Sequence, residues 1–362
     1  MGGSLAKDEQ TRVRTNLEGR RGEPLPPRPE ASADWLEVTK FCYDVPRMAQ
    51  MKALRKEGAS VLLASVPRPT VDAADDVIIQ VAAAGVCRTD IYVAEGRLPC
   101  RDPLILGHEL SGIVTQAGPA AGELRPGDLV TVAPLWACRA CSGCTHGGAC
   151  AQPEMLGVQR HGAFAEFLKA PAAAVYRVPA GLGARAAAYA EPVAAALAVL
   201  KAGLHPAERG LIYGTSRIAR LVQRVLAAAG FGEVPIYDPT AAATGLPSAA
   251  FDYVIETIAT TASLAEMLPA VRAGGRIVLK SRPPEPALLP VAAAVLREIS
   301  FISVAYGSFS DALRWLAEGR LPLADLLGEG YPLTDFTQAF AAAQGAEARK
   351  VFLWPAAELA GL

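Results

Sequence analysis

Apolar and polar positions divide the chain into three regimes. Residues 1–32 have no apolar period; they are polar, mixed in charge and proline-rich toward their end, a composition that does not fold alone. Residues 33–50 carry Trp35, Leu36, Phe41 and Tyr43, so this piece is expected to dock on the body or on a neighbouring subunit. From Met51 onward the pattern becomes that of packed structure. Short aliphatic runs predict strands over 51–54, 61–66 and 77–86, and a glycine turn followed by a strand is expected within 157–167. An apolar helix follows Pro192. Further on, a strand over 211–213, a tight turn, a helix over 218–229 and a strand over 234–237 lead to Asp238. Strands over 251–255 and 274–279 flank a helix over 265–271, and 349–353 reads as a closing strand. Only residues 239–250 separate Asp238 from the next strand, too few for a helix plus a strand.

Composition narrows the function classes. A chain of 362 residues with 51% hydrophobic content can fill two cores. A formal net charge of -1 with 20% charged residues, and no basic stripe or basic amphipathic face, argues against a nucleic-acid or membrane-surface partner. No apolar run reaches the roughly 20 residues of a membrane span, and no signal-peptide pattern opens the chain. A soluble, cytoplasmic protein is the expectation.

Two groups of metal-ligating residues stand out. Cys87 follows the run 77–86, where a strand gives way to a loop, and His108 lies between Gly107 and Glu109, whose carboxylate can support the imidazole or act as an extra ligand. Thiolate and imidazole with oxygen donors nearby suit zinc. The second group, Cys138, Cys141, Cys144 and Cys150, has the spacing C-x2-C-x2-C-x5-C. Four thiolates on one short lobe make a closed tetrahedral zinc site, which holds a loop that has no core of its own. His146 is an alternative ligand there, and His161 a candidate for facing substrate.

The turn Gly214-Thr215-Ser216-Arg217-Ile218-Ala219 between strand and helix, with Asp238 ending the next strand, is a Rossmann layout. Pyrophosphate would rest on the helix N-terminus and Asp238 on the adenosine ribose, a carboxylate that repels a 2'-phosphate and so favours NAD over NADP. Ser216 replaces the second glycine and Ala219 the third; Arg217 offers phosphate a guanidinium or is a solvated helix-start arginine.

The run Gly107, His108, Glu109, Gly112, Val114, Gly118, closed by Gly127-Asp128-Leu129-Val130, resembles the zinc alcohol dehydrogenase signature of the medium-chain dehydrogenase/reductase family. The resemblance leaves residues 1–50 outside it, as an unexplained N-terminal extension, and implies a GroES-like β-rich zinc catalytic domain (51–200 and 331–362) and a trimmed, doubly wound α/β Rossmann domain (201–330). It implies a catalytic zinc held by Cys87, His108 and Glu191, which precedes Pro192 where relatives place their third ligand, and a structural zinc in the four-cysteine lobe. Thr89 matches the hydroxyl that takes the alcohol proton, and Tyr92 the position of the relay histidine. Arg88 and Lys350 match positions for cofactor phosphate. The activity implied is NAD-linked oxidation of a secondary alcohol, a polyol or aminocyclitol, by a homodimer or homotetramer. The alternative is a redox-inactive zinc member of the same fold, a lyase, dehydratase or binding protein.

Overall fold

The computed structural model describes residues 49–147, 150–241, 244–345, 349–359 and 361, so the expected N-terminal extension lies almost wholly outside the described residues. The chain begins with β1 (Gln50–Glu57), β2 (Ser60–Pro67), β3 (Asp76–Gly85), helix α1 (Arg88–Ala94), β4 (Leu104–Ile105), β5 (Glu109–Ala117) and β6 (Leu129–Val132). A two-stranded ribbon, β7 (Leu135–Trp136) with β8 (Glu154–Met155), brackets the cysteine lobe and its short helix α2 (Ser142–Thr145). Next come β9 (Phe167–Pro171), β10 (Val175–Arg177), α3 (Ala184–Ala188) and α4 (Ala190–Leu197). The strand expected within 157–167 begins only at Phe167.

The first lobe is β-rich. Strands β2, β1 and β4 form one sheet, and the larger sheet gains β16 (Leu327–Pro332) and β17 (Lys350–Trp354) from the chain's end, in the order β10-β6-β5-β3-β17-β16 with β9 also on β3. Strand β3 sits at its centre, and its sequence shows why. Ile79 and Val81 enter the main core, while Ala82 and Ala83 are small enough for Ala184, Ala188 and Phe352 to pack against them. Both faces are covered, so the strand reads as a nearly continuous apolar run rather than an alternation.

The second lobe contains β11 (Gly210–Tyr213), α5 (Arg217–Ala228), β12 (Ile236–Tyr237), β13 (Phe251–Glu256), α6 (Thr261–Ala270), β14 (Val271–Leu279), α7 (Val291–Leu296), β15 (Ser300–Ser303) and α8 (Phe309–Ala317). The strands make a parallel sheet in the order β12-β11-β13-β14-β15. Successive side chains alternate between two cores. Ile212, Ile255 and Val278 pack with Val222 and Leu313 on one face; Leu211, Val254 and Ile277 pack with Leu264 and Met267 on the other. The described residues of 239–250 form neither helix nor strand, which leaves a five-stranded sheet. The helix expected over 265–271 starts earlier because Thr260 caps it, accepting from the Ser263 N–H at 3.0 Å. No helix among the described residues is long and apolar enough to cross a membrane.

Candidate active site

Cys87 lies where β3 passes into α1, and Asp90 determines its setting. The Cys87 N–H donates to Asp90 Oδ2 at 2.8 Å, as an acid at the third helical position does in a capping box. The other oxygen, Oδ1, accepts from the Gly107 N–H at 3.2 Å and pairs with His108 Nδ1 at 3.1 Å. Gly107 adopts φ 98°, and a Cβ there would lie 2.5 Å from Phe164 Cδ1, so only glycine makes the turn that delivers His108. With Nδ1 committed to Asp90, Nε2 is left facing inward, buried and without a hydrogen-bond partner. The ligand atoms of Cys87, His108 and Glu109 lie within 4.8 Å of one another. A thiol, an orphaned imidazole nitrogen and a carboxylate are the donor set of a zinc site, so these residues fit the ion.

The charges agree with that reading. Burial pushes the Cys87 thiol up, but His108 and Lys350 outweigh it and bring it down to about 6. Burial opposes charging His108, yet Asp90 and Cys87 hold the imidazole well above its ordinary range. Burial raises Glu109 to about 7 in spite of the Lys350 ammonium beside it.

Two expected roles change. Lys350 is 2% exposed and does not reach toward a nucleotide: its Nζ donates to Val86 O at 3.0 Å and ion-pairs with Glu109. Glu191 stands outside that compact group of three. It is buried at the start of α4, accepts from the Tyr306 hydroxyl, and is pushed up by burial and by Glu109. Glu109 therefore has a counter-cation, whereas Glu191 has only a neutral donor. Thr89 places Oγ1 3.9 Å from the Cys87 sulfur; the Tyr92 ring lies under the Arg97 guanidinium at 4.6 Å; Arg88 is exposed.

The buried Lys350–Glu109 pair predicts a stability effect. Lys350→Met should cost about 3–5 kcal/mol, because it strands a buried carboxylate, and adding Glu109→Gln should recover most of the loss. Urea unfolding of both variants checks this. Asp90→Asn, which keeps the size but weakens the hold on the imidazole, should lower zinc affinity or turnover by about 10–100-fold. A competition titration against a zinc chelator reads the affinity directly.

In the second metal group, the sulfurs of Cys138, Cys141, Cys144 and Cys150 also lie within 4.8 Å of one another. Cys138 and Cys144 are 3.9 Å apart and Cys141 and Cys144 3.5 Å, bracketing the edge of about 3.8 Å that a tetrahedron with ~2.3 Å metal–sulfur bonds requires. Backbone N–H groups of Cys138, Cys141 and Ala151 point at these sulfurs from 3.3–3.4 Å. His146 is turned away, its Nδ1 2.7 Å from Ser142 O. His161 also does not face this chemistry; its Nδ1 accepts the Ile105 N–H at 3.1 Å.

At the nucleotide turn, Gly214 has φ 106°, and a Cβ would lie 2.7 Å from Thr257 Oγ1. Ser216 is the N-cap of the 12-residue helix α5, and its buried Oγ has no partner. Ala219 is fully buried against the sheet, and Arg217 Nη1 donates to Arg349 O at 3.2 Å. Asp238 Oδ1 accepts from Thr240 N–H at 2.9 Å and Oγ1 at 2.7 Å, which lowers its pKa.

Sequence reasoning missed Asp90, Tyr306, Glu256, Lys280 and Arg282. The spacing Cys87-x-x-Asp90 is a local capping signal that was there to be read; the other four reach the site only through the fold.

Residues 73–180 match the alcohol dehydrogenase GroES-like domain. A Mycobacterium tuberculosis protein named as a zinc-binding alcohol dehydrogenase is 31% identical, covering 81% of this chain and 85% of its own. An L-threonine 3-dehydrogenase of Streptomyces coelicolor is 31% identical over 84% of this chain and 100% of its own. Among solved structures, an Escherichia coli alcohol dehydrogenase complexed with NADH superposes with a TM-score of 0.75 at 22% identity, covering 84% of this chain and 99% of that one. The chain belongs to the zinc-dependent medium-chain dehydrogenase family, and it carries both the β-rich and the nucleotide-binding lobe of that fold.

Proposed function

We propose that this protein is an NAD-linked dehydrogenase of a polyhydroxylated secondary alcohol, a polyol or aminocyclitol, with Cys87, His108 and Glu191 holding a catalytic zinc and the four-cysteine lobe a structural one. The observation that carries this reading is the buried, partnerless His108 Nε2 beside the Cys87 thiol. Glu191 is proposed as third ligand because it is a buried carboxylate lacking the cation that Glu109 already has in Lys350. When bound, the ion would supply Lewis-acid polarisation of the substrate oxygen, making the alcohol easier to deprotonate. Thr89, whose Oγ1 lies 3.9 Å from the Cys87 sulfur, would accept the alcohol proton, and Tyr92 would pass it outward.

The nucleotide would lie over the carboxyl ends of β11 and β13. The N-terminus of α5 and the unpartnered Ser216 Oγ suit a pyrophosphate, and Gly214, at φ 106° and too close to Thr257 for a side chain, makes the turn that leads to them. Asp238, fixed by Thr240, would take the ribose hydroxyls and disfavour a 2'-phosphate. The substrate would be a small molecule, and a homodimer or homotetramer is the proposed assembly. Titration with NADH and NADPH, followed by nicotinamide fluorescence, tests the reading: saturable NADH binding, tighter than NADPH, is expected. No binding of either at millimolar cofactor would instead favour the redox-inactive alternative.

A further inference from the structure

We propose that Lys280 and Arg282 form a recognition site for an anionic group on the substrate, a carboxylate or a phosphate, beside the proposed catalytic metal centre. The proposal rests on the dehydrogenase reading above and specifies its substrate class.

The two residues follow Leu279, the last residue of β14, and ligands of open parallel sheets bind beyond the carboxyl ends of the strands. The loop that presents them is held by a buried carboxylate. Glu256, at the end of β13, accepts from Ser281 Oγ at 2.6 Å and from the N–H groups of Lys280 and Ser281 at 3.2 Å. Arg282 places Nη2 3.4 Å from Tyr306 Oη and Nη1 3.5 Å from Met155 Sδ, with its guanidinium 5.7 Å from the Tyr306 ring centroid. Lys280 Nζ donates to Ala305 O at 3.2 Å. Tyr306 in turn donates to Glu191, so Arg282 is separated from that carboxylate by a single side chain.

Among the described residues, the hydrogen bonds and ring contacts of these two side chains are with a carbonyl, a thioether, a phenol and an aromatic ring. Neither has a carboxylate within ion-pair distance among the described residues, although Cys87 and Glu191 are close enough for both cations to feel their charge, and Lys280 also feels that of Glu256. Two cations two residues apart repel, and burial together with Arg282 brings the Lys280 ammonium down to about 8. A bound anion would relieve both effects, and a guanidinium is well shaped for two parallel hydrogen bonds to carboxylate or phosphate.

The cofactor's own phosphates are a poorer match. The turn after β11 carries Gly214 and Ser216, and β14 lies two strands away in the order β11-β13-β14, about 10 Å at ~4.8 Å per strand. The 2'-phosphate position, at Asp238 after β12, is a further strand away. The anion that Lys280 and Arg282 face is therefore on the substrate.

Calorimetric titration of the zinc-loaded protein with inorganic phosphate and, separately, with malonate tests this without turnover and distinguishes the two anions. At least one should bind in the millimolar range; K280M/R282M should weaken it at least about tenfold, while the charge-keeping K280R/R282K should hold it within about threefold. In parallel, kcat/KM is compared for 2,3-butanediol against 3-hydroxybutyrate and for xylitol against xylitol 5-phosphate. Preference for one of the anionic members by about a hundredfold is expected, collapsing in K280M/R282M. Anion binding that survives in K280M/R282M, or no anion binding in the wild type, overturns the proposal and leaves the dehydrogenase reading standing. Loss of NADH binding would remove that reading instead, and the anion titration would still decide whether the site exists.

Discussion

Cys87→Ser is expected to lower turnover by about a thousandfold or more while leaving NADH binding nearly unchanged. The thiol is set up to carry charge: His108 and Lys350 bring it down to about 6 against the burial that raises it. A serine hydroxyl at this position stays protonated and is a far poorer zinc ligand, so the residues around it lose the charge they are arranged to hold. Metal polarisation of a substrate oxygen contributes several kcal/mol, and each 1.36 kcal/mol is a factor of ten, which sets the size of the effect. Steady-state kinetics with parallel nicotinamide fluorescence measure both halves. A variant retaining a tenth of wild-type turnover would contradict the assignment.

The second large effect concerns stability. Cys141→Ser should release the lobe between β7 and β8, dropping zinc content by one ion per chain and exposing the segment to limited proteolysis. The described part of this lobe buries none of its helix residues, so in the proposed reading sulfur–metal bonds would take the place of a core. Structural zinc in small modules supplies about 10–16 kcal/mol of apparent binding energy, enough to make such a lobe fold only when loaded. Nucleotide binding should persist, because α5 and the parallel sheet draw on a separate core. Mass spectrometry of proteolytic fragments and a zinc assay provide the readout; a lobe that stays resistant after the substitution would show that its loops hold themselves.

How far these features were legible in the sequence depends on how local they are. The cysteine lobe was readable because its four ligands fall within a few turns of chain, and the shortened stretch after Asp238 because a strand needs a minimum length. Asp90 was overlooked although its signal is local: an acid three residues after Cys87 closes a capping box and at the same time clamps His108. Lys350 was misplaced for the opposite reason. Its partner Glu109 is 241 residues away, and nothing near either residue announces the pairing. Glu191 entered only through the resemblance to relatives, and its surroundings, the Tyr306 hydroxyl and the charge of Glu109, come from parts of the chain far from it in sequence. Lys280 and Arg282 carried no local signal and were missed.

Zinc stoichiometry in the wild type, Glu191→Ala and Glu109→Gln proteins tests the metal centre most directly. The wild type should hold two ions per chain, Glu191→Ala one, and Glu109→Gln two. A single ion in the wild type, or two retained in Glu191→Ala, would contradict the ligand set on which the proposed chemistry stands.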